Sequence, residues 1–153
     1  MVGQDLGALA GRCDWIKVMT YGHAFGPAGL PFELADLVDW LIATWGGGET
    51  GALEWLSRAM RLPIPQTQAA LRQRGLAPEA LAAEVRRGRT AGVNPLFAAI
   101  ELVEIEGVAQ LDREQIMADL RAFRRAGADG LVLSWDLWHI PPERLDLVRE
   151  AWG

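Results

Sequence analysis

Cysteine is nearly absent. Cys13 is the only one in 153 residues, so no internal disulfide can form, and its place ahead of an apolar run suits a small buried hydrophobe. No apolar run approaches the ~20 residues that cross a bilayer, which argues against a membrane role. The first residues, MVGQDLGALAGRC, lack the basic start and strong apolar stretch of a secretory signal. With residue 1 as the natural start, that points to the cytoplasm. Histidine is scarce: His23 and His139 have no ligand spacing, so neither metal nor cofactor is expected. Serine-rich linkers and low-complexity tracts are missing. Positive charge is in deficit, and a net charge of −5 argues against nucleic acid as a partner. The basic run Arg86, Arg87, Arg89 is short and suits a solvated helix end. Lysine is the rarest cation: fourteen of the fifteen basic residues are arginine, and Lys17 stands alone.

What is present is enough for a core. Half of the residues are hydrophobic, and the length is that of one domain, residues 1–153. Residues 4–12 read as the end of a helix. DWIKVMTY (14–21) reads as a strand, with Ile16 and Val18 on one face and Trp15, Lys17, Met19 and Tyr21 on the other. A loop rich in glycine and proline follows. Helical spacing of Leu34, Leu37, Val38, Leu41 and Ile42 predicts a helix over 32–45, ended by the glycines at 46–48. Three helical pieces follow at 51–61, 66–74 and 78–87, punctuated by Pro63, Pro65, Gly75, Pro78 and Gly88. PLFAAIELVEI (95–105) reads as the second strand. Asp112 with Gln115 makes a capping box for a helix that buries Ile116, Leu120 and Phe123 and stops at Gly127. GLVLSWDL (130–137) is the third strand, and Pro141 and Pro142 suit the first turn of a last helix.

Strands separated by helices require right-handed crossovers and give a parallel sheet, an α/β fold. The strands carry polar residues on one face, and the chemically suggestive residues cluster at their C-terminal ends. Both features favour a (β/α) barrel over a doubly wound sheet. Three strands are too few to close one. The expectation is therefore a partial (β/α) barrel, the C-terminal portion of a TIM barrel, with a helical insertion over about residues 47–92. Such a sheet would have open edges and half a core, so self-association or a complementary barrel segment is expected.

Alternation in the second strand turns Leu96, Ala98, Ile100 and Leu102 to the helices and Phe97, Ala99, Glu101 and Val103 to the barrel axis. A carboxyl facing the axis is costly unless paired or at work, so Glu101 is either a catalytic group or half of an ion pair. Lys17 faces the axis by the same alternation. It either pairs with Glu101 or Asp136, or serves as a general base or Schiff-base amine. In the third strand Val132, Ser134 and Asp136 form the inner set, which brings Asp136 within reach of Glu101. Paired carboxylates suit glycoside hydrolysis. Tyr21, Trp135 and Trp138 can line a sugar site, the tryptophans by stacking or else by packing under the last helix. His23 and His139 fall on loops at the barrel mouth.

Two resemblances sharpen this reading. VMTYG (18–22), Glu101 and DGLVLSWDL (129–137) resemble the C-terminal part of a glycoside-hydrolase-like (β/α)8 barrel. Chitinase-like family 18 hydrolases carry a Met-x-Tyr-Asp strand and a floor tryptophan on the last strand. Met19 and Tyr21 match, Gly22 replaces the Asp, and Trp135 lies one residue out of phase. Related glycosidases place a nucleophilic Glu on the penultimate strand, where Glu101 falls; their acid/base belongs to an earlier strand that this chain lacks. DWIKVMTYG (14–22) is similar to the strand of deoxyribose-phosphate aldolase that carries the Schiff-base lysine, which implies that role for Lys17. A second lysine strand and a glycine-rich phosphate loop do not follow. The resemblances imply three possible functions: a carbohydrate-active hydrolase using Glu101 and Asp136, an aldolase or lyase using Lys17, or a barrel remnant that binds or assembles without turnover.

Overall fold

The computed structural model describes residues 5–27 and 29–153. Among them lie seven α-helices and one three-stranded sheet. The order is α1 (Leu6–Ala10), β1 (Ile16–Val18), α2 (Leu30–Trp45), α3 (Glu49–Met60), α4 (Gln68–Arg74), α5 (Pro78–Thr90), β2 (Leu96–Glu101), α6 (Arg113–Ala126), β3 (Gly130–Ser134) and α7 (Pro142–Trp152). A 3-10 turn, Leu137–His139, joins β3 to α7. The strands pair in parallel in the order β1-β2-β3, with Lys17 opposite Phe97 and Glu101 opposite Ser134. The mixed α/β class and the parallel sheet are as the sequence predicts.

The helix ends follow the residues that cap them. Asp112 accepts from the Gln115 amide while the Gln115 side chain accepts from the Asp112 amide, the expected reciprocal box, and Gly127 ends α6 in the left-handed region. Pro142 opens α7 where no N–H is needed. All three strands stop earlier than alternation suggests, the first two where side chains take over their ladders and the third where the chain turns. After β1 the Thr20 hydroxyl donates to the Ala99 carbonyl at 2.6 Å and accepts from the Ala99 amide at 2.8 Å. After β2 the Leu102 and Val103 carbonyls accept from Arg144 at 3.0 and 2.9 Å. After β3 the chain turns at Asp136, whose carboxylate caps the 3-10 turn.

The core lies on one side of the sheet. Val18, Leu96, Ala98, Ile100 and Leu102, with Leu131 and Leu133, pack against apolar faces of α5, α6 and α7. Here α5 is the crossover helix that lies on β1 and β2: its Gly88 is close enough that a Cβ would meet Leu96 at 2.9 Å. The helical insertion is therefore narrower than expected. It is α3 and α4: α3 packs on the flank of α2 through Val38, Leu41, Leu53 and Leu56, and α4 is tied to α2 by Gln68 on the Ala35 carbonyl and Arg72 on Asp39.

Among the described residues no helix covers the opposite face. Trp15 and Lys17 are exposed there, and Phe97 and Val132 are half-buried. Trp15 meets Phe97 edge-on with ring centroids 5.5 Å apart. Only towards the strand ends is this face closed, by Met19, Tyr21 and Ala24 over Ala99. Parallel sheets are ordinarily buried on both faces, so an uncovered one is the main anomaly of the fold. Two further expectations are corrected. Cys13 is exposed, because the link between α1 and β1 runs over the surface. The Arg86–Arg89 run is not simply solvated. Arg87 pairs with Glu84 at 2.9 Å, and Arg89 donates to the Gly127 carbonyl and pairs with Asp129, both at 2.5 Å.

Candidate functional site

The candidate site is built where the loop after β1 folds back over the ends of β2 and β3. Three backbone contacts hold it: the Phe25 amide on Val108 at 2.7 Å, the Leu76 amide on Gly22 at 2.9 Å and the Leu30 amide on Tyr21 at 3.2 Å. Gly75 permits the second. Its φ is 71°, and a Cβ there would stand 2.0 Å from the Gly22 carbonyl oxygen.

On the uncovered face, three polar side chains form a chain across the sheet. The Lys17 ammonium donates to the Tyr21 hydroxyl at 3.1 Å, and the Tyr21 and Ser134 hydroxyls bond each other. The ammonium also lies 4.9 Å from the centre of the Tyr21 ring. Trp135, joined to Ser134 by a cis peptide bond, is 40% exposed and tilts against Tyr21 at 6.3 Å between centroids. Trp138 is 94% exposed on the 3-10 turn. The structure thus brings Lys17, Tyr21 and Trp135 together, with Trp138 following two residues beyond Asp136. Neither Trp135 nor Trp138 is sealed beneath the last helix.

The carboxylates are arranged differently from the expectation. Glu101 is 1% exposed and accepts from the backbone amide of His23. Its charged neighbours are His23 and Asp119, neither Lys17 nor Asp136. Burial raises its pKa to about 7, against the opposing pull of the His23 charge and of hydrogen bonds from the backbone. Asp136 accepts from the Trp138 amide at 3.0 Å and contacts His139 Nδ1 at 3.3 Å, all exposed. The two acids expected to act as a pair are held by separate partners. The turn at residues 135–136 is what swings Asp136 out of the strand.

His23 does not lie on an open mouth loop. It is buried, because Gly22 and Gly75 bring its loop into contact with the turn between α4 and α5. Its Nδ1 is 3.1 Å from the Arg74 carbonyl, which makes Nδ1 the protonated nitrogen, and its Nε2 is 3.1 Å from Asp119 Oδ2. Burial lowers the His23 pKa, but the hydrogen bond and charge of Asp119, with Glu101 and the Arg74 carbonyl, outweigh it and the net shift is upward. Asp119 is raised by burial, with His23 opposing. His23, Asp119 and Glu101 therefore form one buried acid–imidazole cluster.

Asp119 was missed in the sequence because it sits inside a helical run whose apolar neighbours mask it. Its signal was an acid on the buried stripe of α6, three residues after Ile116 and one before Leu120. Arg144 was missed in the same way. It is buried at the start of α7 and donates to three carbonyls, those of Leu102, Val103 and Leu111.

Chemically, the uncovered face offers an amine, a phenol and a hydroxyl in sequence beside exposed indoles. The cluster beneath offers a carboxyl poised near neutrality but closed to solvent. No group of three or more His, Cys, Asp or Glu suited to a metal ion occurs among the described residues. Nor is any helix among them long and apolar enough to cross a membrane. Comparison with protein-family models, curated proteins and solved structures finds no match for this chain.

Proposed function

We propose that this chain is the C-terminal part of a glycoside-hydrolase-like (β/α) barrel and that it binds a carbohydrate on the uncovered face of its sheet. The observation that carries this reading is the Lys17–Tyr21–Ser134 chain beside exposed Trp135. Sugars present an apolar C–H face and a rim of hydroxyls. They need a flat aromatic surface with donors and acceptors at its edge, which these residues supply. The barrel reading rests on the uncovered face and the free edges of β1 and β3, since a parallel sheet in this state needs either more strands or a second copy to cover it. Glu101, with its pKa raised to about 7, has the acidity of a general acid at neutral pH. Its closure beneath the Tyr21–Ala24 loop favours binding over turnover in the chain as it stands. Tryptophan fluorescence titrated with a panel of mono- and oligosaccharides is the test. Saturable quenching that Trp135→Ala and Trp138→Ala remove supports the reading, and a flat response across the panel refutes it.

A second reading has one observation in its favour. The only lysine, Lys17, is exposed in the middle of β1 with its amine beside the Tyr21 phenol, and an accessible amine is the nucleophile a Schiff-base lyase needs. Borohydride trapping with small aldehydes and keto acids, read by mass, adds the carbonyl fragment at Lys17 if this holds and leaves the mass unchanged if it does not.

A further inference from the structure

A cleft of about 640 Å³ opens on the helical side, away from the uncovered sheet face, between the Pro63–Pro65 segment, the α4–α5 turn and the first half of α6. Its walls are apolar: Pro63, Ile64, Leu76, Pro78 and Ala118. His23 and Asp119 line it too, and Arg74 and Glu114, both exposed, flank it with opposite charges. Asp119 is almost wholly buried, yet its Oδ1 has no hydrogen-bond partner among the described residues. An orphaned carboxylate oxygen at this depth costs free energy of the order of a lost hydrogen bond. It marks a place where a donor belongs.

We infer that this cleft binds a small organic ammonium, an amine carried on an apolar body, whose N–H groups are taken by Asp119. The size suits a compact ligand, and the walls suit a hydrocarbon or aromatic body. The head group follows from charge. His23 Nδ1 already donates to Arg74, so the imidazole's second proton, when it carries one, sits on Nε2, 3.1 Å from Asp119 Oδ2. An incoming ammonium supplies both the charge and the donors which that proton provides. It engages Oδ1, leaves Asp119 ionised and releases the His23 Nε2 proton to solvent. Glu79, whose charge reaches Asp119, adds to the preference for a cation. An alcohol of the same shape can donate one hydrogen bond but cannot replace the charge. The inference does not depend on the carbohydrate reading, because none of the uncovered-face groups lines this cleft.

The test is calorimetric titration with 2-phenylethylamine and, separately, 2-phenylethanol, at pH 7 in two buffers of different ionisation enthalpy. The expected result is saturable amine binding at least tenfold tighter than the alcohol, with net proton release detected as a buffer-dependent heat. Asp119→Asn should weaken the amine by tenfold or more and abolish the proton release. Ala118→Phe should block binding by filling the cleft without touching the dyad, which keeps the test decisive should the Asp119 variant fail to fold. Absence of amine binding, equal affinity for the alcohol, or undiminished binding by Ala118→Phe would each overturn the inference.

Discussion

Replacing Glu101 with glutamine should make this protein more stable at pH 8. Its carboxyl is pushed from 4.5 to about 7 by burial. Because the folded-state value is raised, the folded protein holds a proton that the unfolded chain has released. The stabilisation is fully present below 4.5 and is lost as the pH climbs to about 7, beyond which it is gone. A difference of that size corresponds to about 3 kcal/mol, at about 1.4 kcal/mol per pH unit, a large share of the 5–15 kcal/mol typical of a domain. Glutamine keeps an oxygen for the His23 amide and removes the charge. Urea unfolding followed by tryptophan emission at pH 5, 6, 7 and 8 measures the effect. Wild type should lose stability across this range while the variant loses less, so the two curves separate at high pH. The variant keeps some slope, because His23 and Asp119 are also shifted upward and act with the same sign. A wild-type stability that is flat or rising from pH 5 to 8, or a variant with an unchanged slope, refutes the reasoning.

Other perturbations follow from the same geometry. Arg144→Met strands three carbonyls, two of them beyond the end of β2, and should cost about 3 kcal/mol or more in denaturant unfolding. Gly75→Ala must place a Cβ against the Gly22 carbonyl at a φ of 71°, with a ψ of −147° that is almost confined to glycine. A loss of about 2 kcal/mol or more in thermal unfolding is expected, with the His23 imidazole resonances displaced. Tyr21→Phe leaves the Ser134 hydroxyl buried without its partner and should cost about 1–2 kcal/mol, whereas Lys17→Met, at an exposed site, should change stability by less than about 0.5 kcal/mol.

Those predictions draw on features of unequal visibility in the sequence. The capping box at Asp112–Gln115, the left-handed Gly127 and the apolar stripes were legible because they are local: each depends on residues three or four apart. Strand alternation was legible as well, and it assigned the inner and outer faces of β2 correctly through Glu101. Strand length was not. The ladder ends where the Thr20 hydroxyl and the Arg144 guanidinium replace backbone partners. Those contacts join residues 79 and about 42 positions apart, a separation that no periodicity carries. The role of α5 was hidden for the same reason. Three successive helical pieces look alike in sequence, and only the close approach of Gly88 to Leu96 decides which one lies on the sheet.

The site divides along the same line. Lys17, Tyr21 and Ser134 could be read from alternation as sharing one face, and they do meet, whereas Trp135 belongs to the other face by alternation and reaches Tyr21 only because β3 ends at Ser134. The acids could not be paired by reading, because pairing depends on where loops go. One turn after Ser134 carries Asp136 out to His139, and one fold-back at Gly22 carries the His23 amide onto Glu101. The imidazole of that same residue crosses to the helical layer and finds Asp119. A single loop residue thus touches the sheet-end carboxyl with its backbone and the α6 carboxyl with its side chain. Any change in the His23–Asp119 contact therefore has a direct route to Glu101, through one residue and without movement of the sheet. If the amine cleft and the uncovered face both bind ligands, His23 is the link through which occupancy of one would alter the acidity of the other. That coupling can be measured as a shift in the Glu101 carboxyl titration on adding 2-phenylethylamine. Losing the His23 charge should raise the Glu101 value, since that charge is what holds it down. An unmoved titration, with the amine demonstrably bound, would separate the two sites.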